Sequence, residues 1–367
     1  MSNKKRKHGP LLAIDIGSSS VKFSQGQMSN GRLKVSLLGI KTVPEGVYSN
    51  GIIHDYQTLK AIISGSIHEF KIKNKDTVIT IESSDTIKRE MVIQKVPDED
   101  KADLIAYEVS QYLPIEISNY ILQYKDIEEI MEEDVKKVKI LLGAMPKEIV
   151  SAHFDLINEC GLNPCYLDMH SNSLEKLIQY EKSSLNNPNS TSAYIDFGNK
   201  MINITLFENQ VYKFNRIIKM GSAEFNRILV DYLSIDGDEA EKRKKATSVT
   251  AIYKSHSQID KTASDSEDDI KNIVIRESVS FFDELIDEID KVFKYHISRH
   301  SNNKIDQVYL IGGGAQFVDI EDLFNTRLEL PVKRIDKLNN VEFNLKDTKE
   351  QKHVNLYINS IGALIRE

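Results

Sequence analysis

Leu12-Ala13-Ile14-Asp15-Ile16-Gly17-Ser18-Ser19-Ser20-Val21-Lys22 is the stretch on which the fold turns. Residues 11–16 form a short apolar run bounded by turn chemistry, the pattern of a buried strand. Gly17 and the three serines punctuate it, and Val21–Gln27 and Leu33–Val43 resume as second and third strands. Strand, tight turn and strand make a β-hairpin. That excludes the P-loop and dinucleotide-binding layouts, which need a helix directly after the glycine turn. A hairpin turn of small residues gathers backbone N–H groups and hydroxyls into one concavity, a nest suited to phosphate oxygens. Asp15 at the strand end is placed to hold hydrated Mg²⁺, an ion that keeps several waters and uses one or two carboxylates. The same residues also fit a plain serine-rich turn, so the stretch is weighed with two others.

The second is Tyr194-Ile195-Asp196-Phe197-Gly198-Asn199. It repeats the order strand, Asp, Gly, turn, strand, with strands expected over Ser192–Asp196, Met201–Glu208 and Gln210–Lys219. Two such hairpins facing each other would grip a triphosphate from both sides with a metal between them. The third is Val308-Tyr309-Leu310-Ile311-Gly312-Gly313-Gly314-Ala315, a strand running into glycines that let backbone approach a flat ligand. The second and third motifs are weak alone; the order and separation of all three are specific.

Between them the periodicity predicts a helix over 57–71, carried by Leu59, Ile62, Ile63, Ile67 and Phe70, and a strand Thr77–Glu82. Residues 87–162 read as a β-α-β-β-α block: Ile87–Val96, Asp98–Tyr112, Tyr120–Ile127, Lys137–Pro146 and Lys147–Cys160. Asp98 is the expected N-cap and Gly161 the C′ glycine. Strand Cys165–Asp168 and helix Ser171–Glu181 follow, and Ser183–Ser192 marks a linker. A helix is expected over Ala223–Tyr232, a polar loop over 254–269, and a helix over 271–299 whose stripe from Phe282 to His296 reads as core. A last helix is expected near Asn355–Arg366.

Bulk properties bound the function. The 367 residues suggest two or three domains, and 40% hydrophobic with 28% charged residues is an ordinary globular balance. A net charge of -7 opposes general nucleic-acid affinity. The basic block Lys4, Lys5, Arg6, Lys7 and His8 reads as a solvated tail, or else as a contact with anionic lipid. No apolar run long enough for a signal peptide or a spanning helix follows it, so a cytoplasmic location is expected. Cys160 and Cys165 match no zinc or redox spacing and read as buried free thiols of a reducing compartment.

In this order the three motifs resemble the phosphate-1, phosphate-2 and adenosine motifs of the actin-like ATPase superfamily. The resemblance implies an α/β, two-domain actin-like (ribonuclease H-like) ATPase fold. The block at 87–162 resembles the 1C subdomain of the FtsA-related branch. The opening of the chain, Ala13–Lys22, with Val96-Pro97, Tyr112-Leu113-Pro114, Gly143-Ala144-Met145-Pro146-Lys147 and Ile361-Gly362-Ala363-Leu364, is similar to the PilM family of type IV pilus assembly. So are Met220–Phe225 and the helix bearing Ala240, Glu241 and Lys244, although Glu241 and Lys244 also fit an exposed i,i+3 ion pair.

The resemblance implies subdomain 1A over 10–86, 163–190 and 336–367, subdomain 1C over 87–162, and domain 2 over 191–335. It implies ATP or ADP with Mg²⁺, held by Asp15, Gly17, Ser18, Ser19, Ser20, Lys22, Asp196, Gly198, Asn199, Gly221, Ser222, Glu241, Lys244, Gly312, Gly313, Gly314 and Ala315. The metal falls to Asp15 and Asp196. It also implies docking of the N-terminal cytoplasmic peptide of PilN between 1A and 1C, near Tyr112, Leu113 and Pro114, at the inner face of the cytoplasmic membrane.

The second phosphate loop departs from the family pattern. Asn199, Lys200, Met201 and Ile202 stand where small and hydroxyl residues are usual, and Lys200 either replaces them as a cation or points to solvent. With no group to position a hydrolytic water, slow or absent hydrolysis is expected. Two rival readings share the fold: a small-molecule kinase with Asp168 or Asp196 as base, and an FtsA-like filament protein. The second is disfavoured by the ending at Arg366-Glu367, with no membrane helix after it.

Overall fold

The structure is a computed structural model that describes residues 9–113, 115–132, 134–181, 190–259, 268–299 and 304–366. The basic block at 4–8, Pro114 and most of the linker at 183–189 lie outside the described residues.

The chain opens with an antiparallel meander, β1 (Leu11–Ile16), β2 (Ser20–Ser29) and β3 (Arg32–Thr42). A ribbon of β4 (Tyr48–Ser49) and β5 (Ile52–Ile53) leads to α1 (Tyr56–Glu69), whose first turn is capped by Asp55 accepting from Thr58 N–H at 3.0 Å. β6 (Asp76–Ile81) then runs parallel to β1. Next come β7 (Ile87–Gln94), α2 (Asp98–Tyr112), β8 (Tyr120–Glu132) and β9 (Val135–Pro146), which build a separate sheet of order β7-β9-β8. α3 (Lys147–Glu159), β10 (Asn163–Met169) and α4 (His170–Tyr180) follow. The second half repeats the meander with β11 (Thr191–Phe197), β12 (Ile202–Glu208) and β13 (Val211–Ile218). Helices α5 (Ala223–Leu233), α6 (Gly237–Ala246), α7 (Val249–Ser257) and α8 (Asp268–Ser298) precede β14 (Gln307–Ile311), α9 (Ile320–Leu328) and β15 (Val332–Arg334). β16 (Val341–Phe343) returns to the first sheet beside β3, and α10 (Ile358–Ala363) is the last helix.

The two large sheets have the orders β10-β6-β1-β2-β3-β16 and β13-β12-β11-β14-β15. Without β16, each is a meander with two parallel strands added on the side of its first strand. One topology is used twice, as the two hairpin motifs imply. The turns repeat too: Asn30-Gly31 and Asn209-Gln210 join the second and third strands of each half in two residues, all four at positive φ.

Strand alternation decides which side chains meet. In β1, Leu12, Ile14 and Ile16 face a core with Leu59 and Ile63 of α1 and Leu156 and Ile157 of α3. Leu11 and Ala13 face the other way, into a core shared by both halves. In β11, Ala193, Ile195 and Phe197 pack with Phe282, Leu285 and Ile289 of α8, while Tyr194 enters the shared core. Asp15 and Asp196 follow the period of Ala13 and Tyr194, so each lies on the face its sheet turns to the other half. Leu174, Leu177 and Ile178 of α4 and Ile358 and Ile361 of α10 fill that middle layer. The inserted sheet has a core of its own in Ile93, Ile105, Val109, Val138, Ile140 and Leu142. α3 packs on the first sheet and serves as the crossover between the parallel strands β6 and β10.

Three local expectations are corrected. Asp98 is the first residue of α2 rather than its cap: Pro97 holds the cap position without a side-chain bond, and the acids at 98–100 favour the helix N-terminus by charge. Residues 249–257 are helical, capped by Ser248, where the polar composition from 254 suggested a loop. The C-terminal segment breaks into a 3₁₀ turn, Glu350–Leu356, and then α10.

Two glycines make the packing testable. Gly362 of α10 crosses α4 so closely that a Cβ would collide with the Ser173 carbonyl. Gly65 of α1 has nothing within 4 Å of the space a Cβ would take. In urea unfolding, Gly362→Ala is expected to cost about 1–3 kcal/mol, and Gly65→Ala to gain about 0.5–1 kcal/mol.

Candidate functional site: the cleft between the two hairpins

A cavity of about 680 Å³ opens between the two sheets, beside α4 and α10. Its walls carry the same turn twice. Gly17 N–H donates to Ser20 O at 3.0 Å, and Gly198 N–H donates to Met201 O at 3.0 Å. The second turn is braced by the start of α5, where Ser222 N–H donates to Gly198 O at 3.1 Å and Ala223 N–H to Asn199 O at 2.9 Å. The N-terminus of α5 therefore faces the cavity, a favourable end for an anion.

Of the residues singled out from sequence, Asp15, Gly17, Ser18, Ser19, Ser20, Lys22, Asp196, Gly198, Asn199, Ser222, Glu241, Lys244, Gly312 and Gly313 line this cavity. Gly221, Gly314 and Ala315 do not. Gly221 packs on the backbone of Asn199 and Lys200, Gly314 packs on the Phe197 ring, and Ala315 is buried in the second-half core. Gly312 has φ +84, and a Cβ there would strike Asp196 and the Phe197 carbonyl, so both conformation and space demand glycine.

The carboxylates are not bare. Asp15 is 1% exposed, and Lys22, its cross-strand neighbour, donates Nζ to Oδ2 at 3.2 Å. His170, the first residue of α4, lies with Nε2 2.9 Å from Asp15 Oδ1 and Nδ1 3.6 Å from Asp196 Oδ2. One imidazole thus spans the two halves. Asn359 of α10 donates Nδ2 to Asp196 Oδ2 at 2.8 Å, while its own buried Oδ1 has no partner. Burial opposes the charge on Asp15, yet Lys22 and His170 outweigh it and hold the carboxyl well below the usual range. Burial likewise opposes a charged His170, and Asp15, then Asp196 and Glu82, raise it in spite of that.

The far wall holds Lys244, whose side chain is 7% exposed, 2.5 Å from Glu241 Oε2 and 3.3 Å from Ser222 Oγ. The pair is thus a cleft-wall contact rather than a fully exposed one. Asn226 donates to Glu241 at 2.9 Å. Lys200 lines the cavity with its side chain 40% exposed and pairs across the mouth of the cleft with Glu45 at 2.5 Å.

Asp168 is removed from the candidate bases. It shares the first sheet with Asp15 but lies two strands away and does not line the cavity. Lys176 at 2.5 Å and Arg366 at 3.0 Å neutralise it, and against the cost of burial they keep it ionised. Tyr112 is largely exposed at the end of α2, and Leu113 packs on the core of the inserted sheet.

A sequence model described as Type IV pilus assembly protein PilM matches residues 13–366. The chain belongs to the PilM family. A solved structure described as a PilM-PilN type IV pilus biogenesis complex resembles it with a TM-score of 0.78, over 97% of this chain and 99% of that one, at 16% identity. The ethanolamine utilization protein EutJ from Carboxydothermus hydrogenoformans resembles it with a TM-score of 0.54, over 98% and 90% of the two chains, at 13% identity. At such identities the likeness concerns the fold, and it supports the two-domain actin-like architecture of the PilM family. No helix among the described residues is long and apolar enough to cross a membrane.

Sequence reasoning missed His170, Asn359, Glu82 and Asn203, all of which line the cleft. His170 follows a strand with no motif around it, and Asn359 sits in an apolar helix. The one local signal was in Asn203, which stands cross-strand from Asp196 as Lys22 does from Asp15.

The His170 bridge has a pH signature. A histidine raised in the folded state adds stability in full below its unfolded value of about 6.5, and loses it as pH rises through the higher folded value. The stability difference between the wild type and His170→Gln, measured by urea unfolding without nucleotide, is therefore expected to be largest at pH 6 and to shrink by pH 9. A difference independent of pH rejects a charged bridge.

Proposed function

We propose that this PilM-family chain is a nucleotide-binding docking platform of type IV pilus assembly. ATP or ADP with Mg²⁺ occupies the cleft, and an N-terminal PilN peptide binds between the first sheet and the insertion. The observation that carries the nucleotide reading is the pair of Asp-x-Gly turns, closed by the same hydrogen bond and facing one cavity from duplicated sheets.

The donor set suits a hydrated Mg²⁺ that takes most of its ligands from water and phosphate. Asp15 and Asp196 supply one carboxylate from each half, and the unpartnered Asn359 Oδ1 supplies an acceptor beside them. The metal would enter with the nucleotide, since two carboxylates already engaged by Lys22, His170 and Asn359 leave most of its coordination to phosphate and water. The Ser18–Ser20 turn and the α5 N-terminus would receive phosphate. Glu241 and Lys244 on the far wall would receive ribose or base.

Binding is favoured over turnover. His170, the sole imidazole on the cleft wall among the described residues, is held between two carboxylates rather than poised as a free base. Slow or absent hydrolysis is therefore part of the proposal, with His170 contributing nothing to the orientation of an attacking water. The platform would work at the inner face of the cytoplasmic membrane, brought there by PilN.

The test is calorimetric titration with Mg²⁺ and ATP. Asp15→Asn and Asp196→Asn are each expected to weaken uptake at least about tenfold, the equivalent of 1.4 kcal/mol. Absence of heat with the wild type rejects the nucleotide reading. Titration of a synthetic PilN N-terminal peptide tests the docking. Micromolar binding, weakened several-fold by Tyr112→Ala, is expected, and no binding at high micromolar peptide rejects it.

A further inference from the structure

Glu82 stands immediately after β6, and its side chain is 5% exposed. Lys88, the second residue of β7 and itself 7% exposed, approaches both carboxylate oxygens, at 3.2 and 3.3 Å. From the other side Asn203 of β12 donates Nδ2 to Oε2 at 2.7 Å. Behind it Asn215 of β13 donates to Asn203 Oδ1 at 3.0 Å, and the Tyr212 hydroxyl donates to Asn215 Oδ1 at 3.1 Å. One carboxylate therefore touches three units: its own first sheet, the insertion through Lys88, and the second sheet through Asn203. Glu82 and Asn203 both line the cleft.

A buried ion pair is not needed for stability here, since apolar residues of similar size commonly do as well. What a charge adds is intolerance of half-made contacts. If Asn203 withdraws as the second half swings out, a buried carboxylate oxygen loses its N–H and the pair must rearrange. Lys88 is the one partner free to follow, and it carries β7 with it. The insertion has a second tether, Lys125 of β8 to Glu175 of α4 at 2.6 Å, and neither of those residues lines the cleft.

We propose that Glu82 is a coupling residue. Through its contacts with Asn203 and Lys88, the width of the cleft sets the packing of the inserted sheet, and so regulates whatever extended peptide that sheet helps to hold. Only the ligand-driven arm of the test rests on the nucleotide reading above.

The test is amide hydrogen exchange on the full chain. Without any ligand, Asn203→Leu is expected to speed exchange in β7 several-fold, although position 203 is in the other half. Asn203→Ala serves as a second variant, and a retained unfolding transition certifies the fold of each. Lys125→Met is expected to loosen β8 while leaving β12 unchanged. Unaltered β7 exchange in both folded Asn203 variants overturns the proposal, whatever the protein does with nucleotide. In the second arm, Mg²⁺-ADP is expected to change β7–β9 exchange in the wild type, and that change is expected to vanish in Asn203→Leu and Glu82→Gln. Its persistence in variants that still bind also overturns the coupling. Failure of the wild type to take up Mg²⁺-ADP counts against the nucleotide reading alone, and the ligand-free arm then decides.

Discussion

Two carboxylates from opposite halves of the chain are turned toward one another with a single imidazole between them. The imidazole lies 2.9 Å from Asp15 and 3.6 Å from Asp196, and in a buried site such carboxylates keep their charge only where positive or polar groups stand beside them. Lys22 supplies a cation and Asn359 an N–H, and between the carboxylates stands His170, whose charged form burial opposes and Asp15 favours. That balance defines what else the site accepts. The proposed nucleotide would draw on that balance, its phosphates meeting the two turns and the α5 N-terminus and its metal meeting the carboxylates.

The carboxylates meet because one topology occurs twice and because strands alternate. In each half the first strand sends alternate residues outward, Leu12, Ile14 and Ile16 to helices α1 and α3 and Ala193, Ile195 and Phe197 to α8, and the residues between them inward. The aspartate falls on the inward period. α4 and α10 separate the inward faces and make the floor of the cleft. That layer is apolar within and tightly crossed at Gly362, while it presents His170 and Asn359 to the cleft; the mouth is closed by Glu45 and Lys200, 82% and 40% exposed. Exposed pairs contribute at most about 1 kcal/mol. Opening at the mouth is therefore cheap and opening at the floor is not, which makes the α4–α10 layer the natural pivot.

Much of this architecture is legible in residue order. The duplicated Asp-x-Gly hairpins, the β-α-β-β-α block and the late glycine strand carry local signals, because turn chemistry and periodicity act over a few residues. The cleft wall is less legible. Gly221, Gly314 and Ala315 share the motif composition of their neighbours yet serve packing, since a glycine needed for close approach to Phe197 is written like one needed for a ligand. Asp168 looks like Asp15 from its strand context, but Lys176 eight residues on and Arg366 near the far end neutralise it. His170, Asn359 and Glu82 acquire meaning only from partners 155, 163 and 121 residues away. No window of sequence contains those contacts.

The insertion makes the same point energetically. Two ion pairs of unlike character join it to the body, beside the apolar contacts of Met145 with the first-sheet core and Leu141 with the shared core: Lys88–Glu82 is buried on both sides, while Lys125–Glu175 pairs a lysine 47% exposed with a buried glutamate. The exposed lysine can exchange its glutamate for water more readily than the buried one can. The buried pair tolerates no partial separation, because parting it strands a charge in low dielectric, at about 3–5 kcal/mol. The stiff pair is the one that reaches the cleft, and that is why Glu82 rather than Glu175 is the residue proposed to couple the cleft to the inserted sheet.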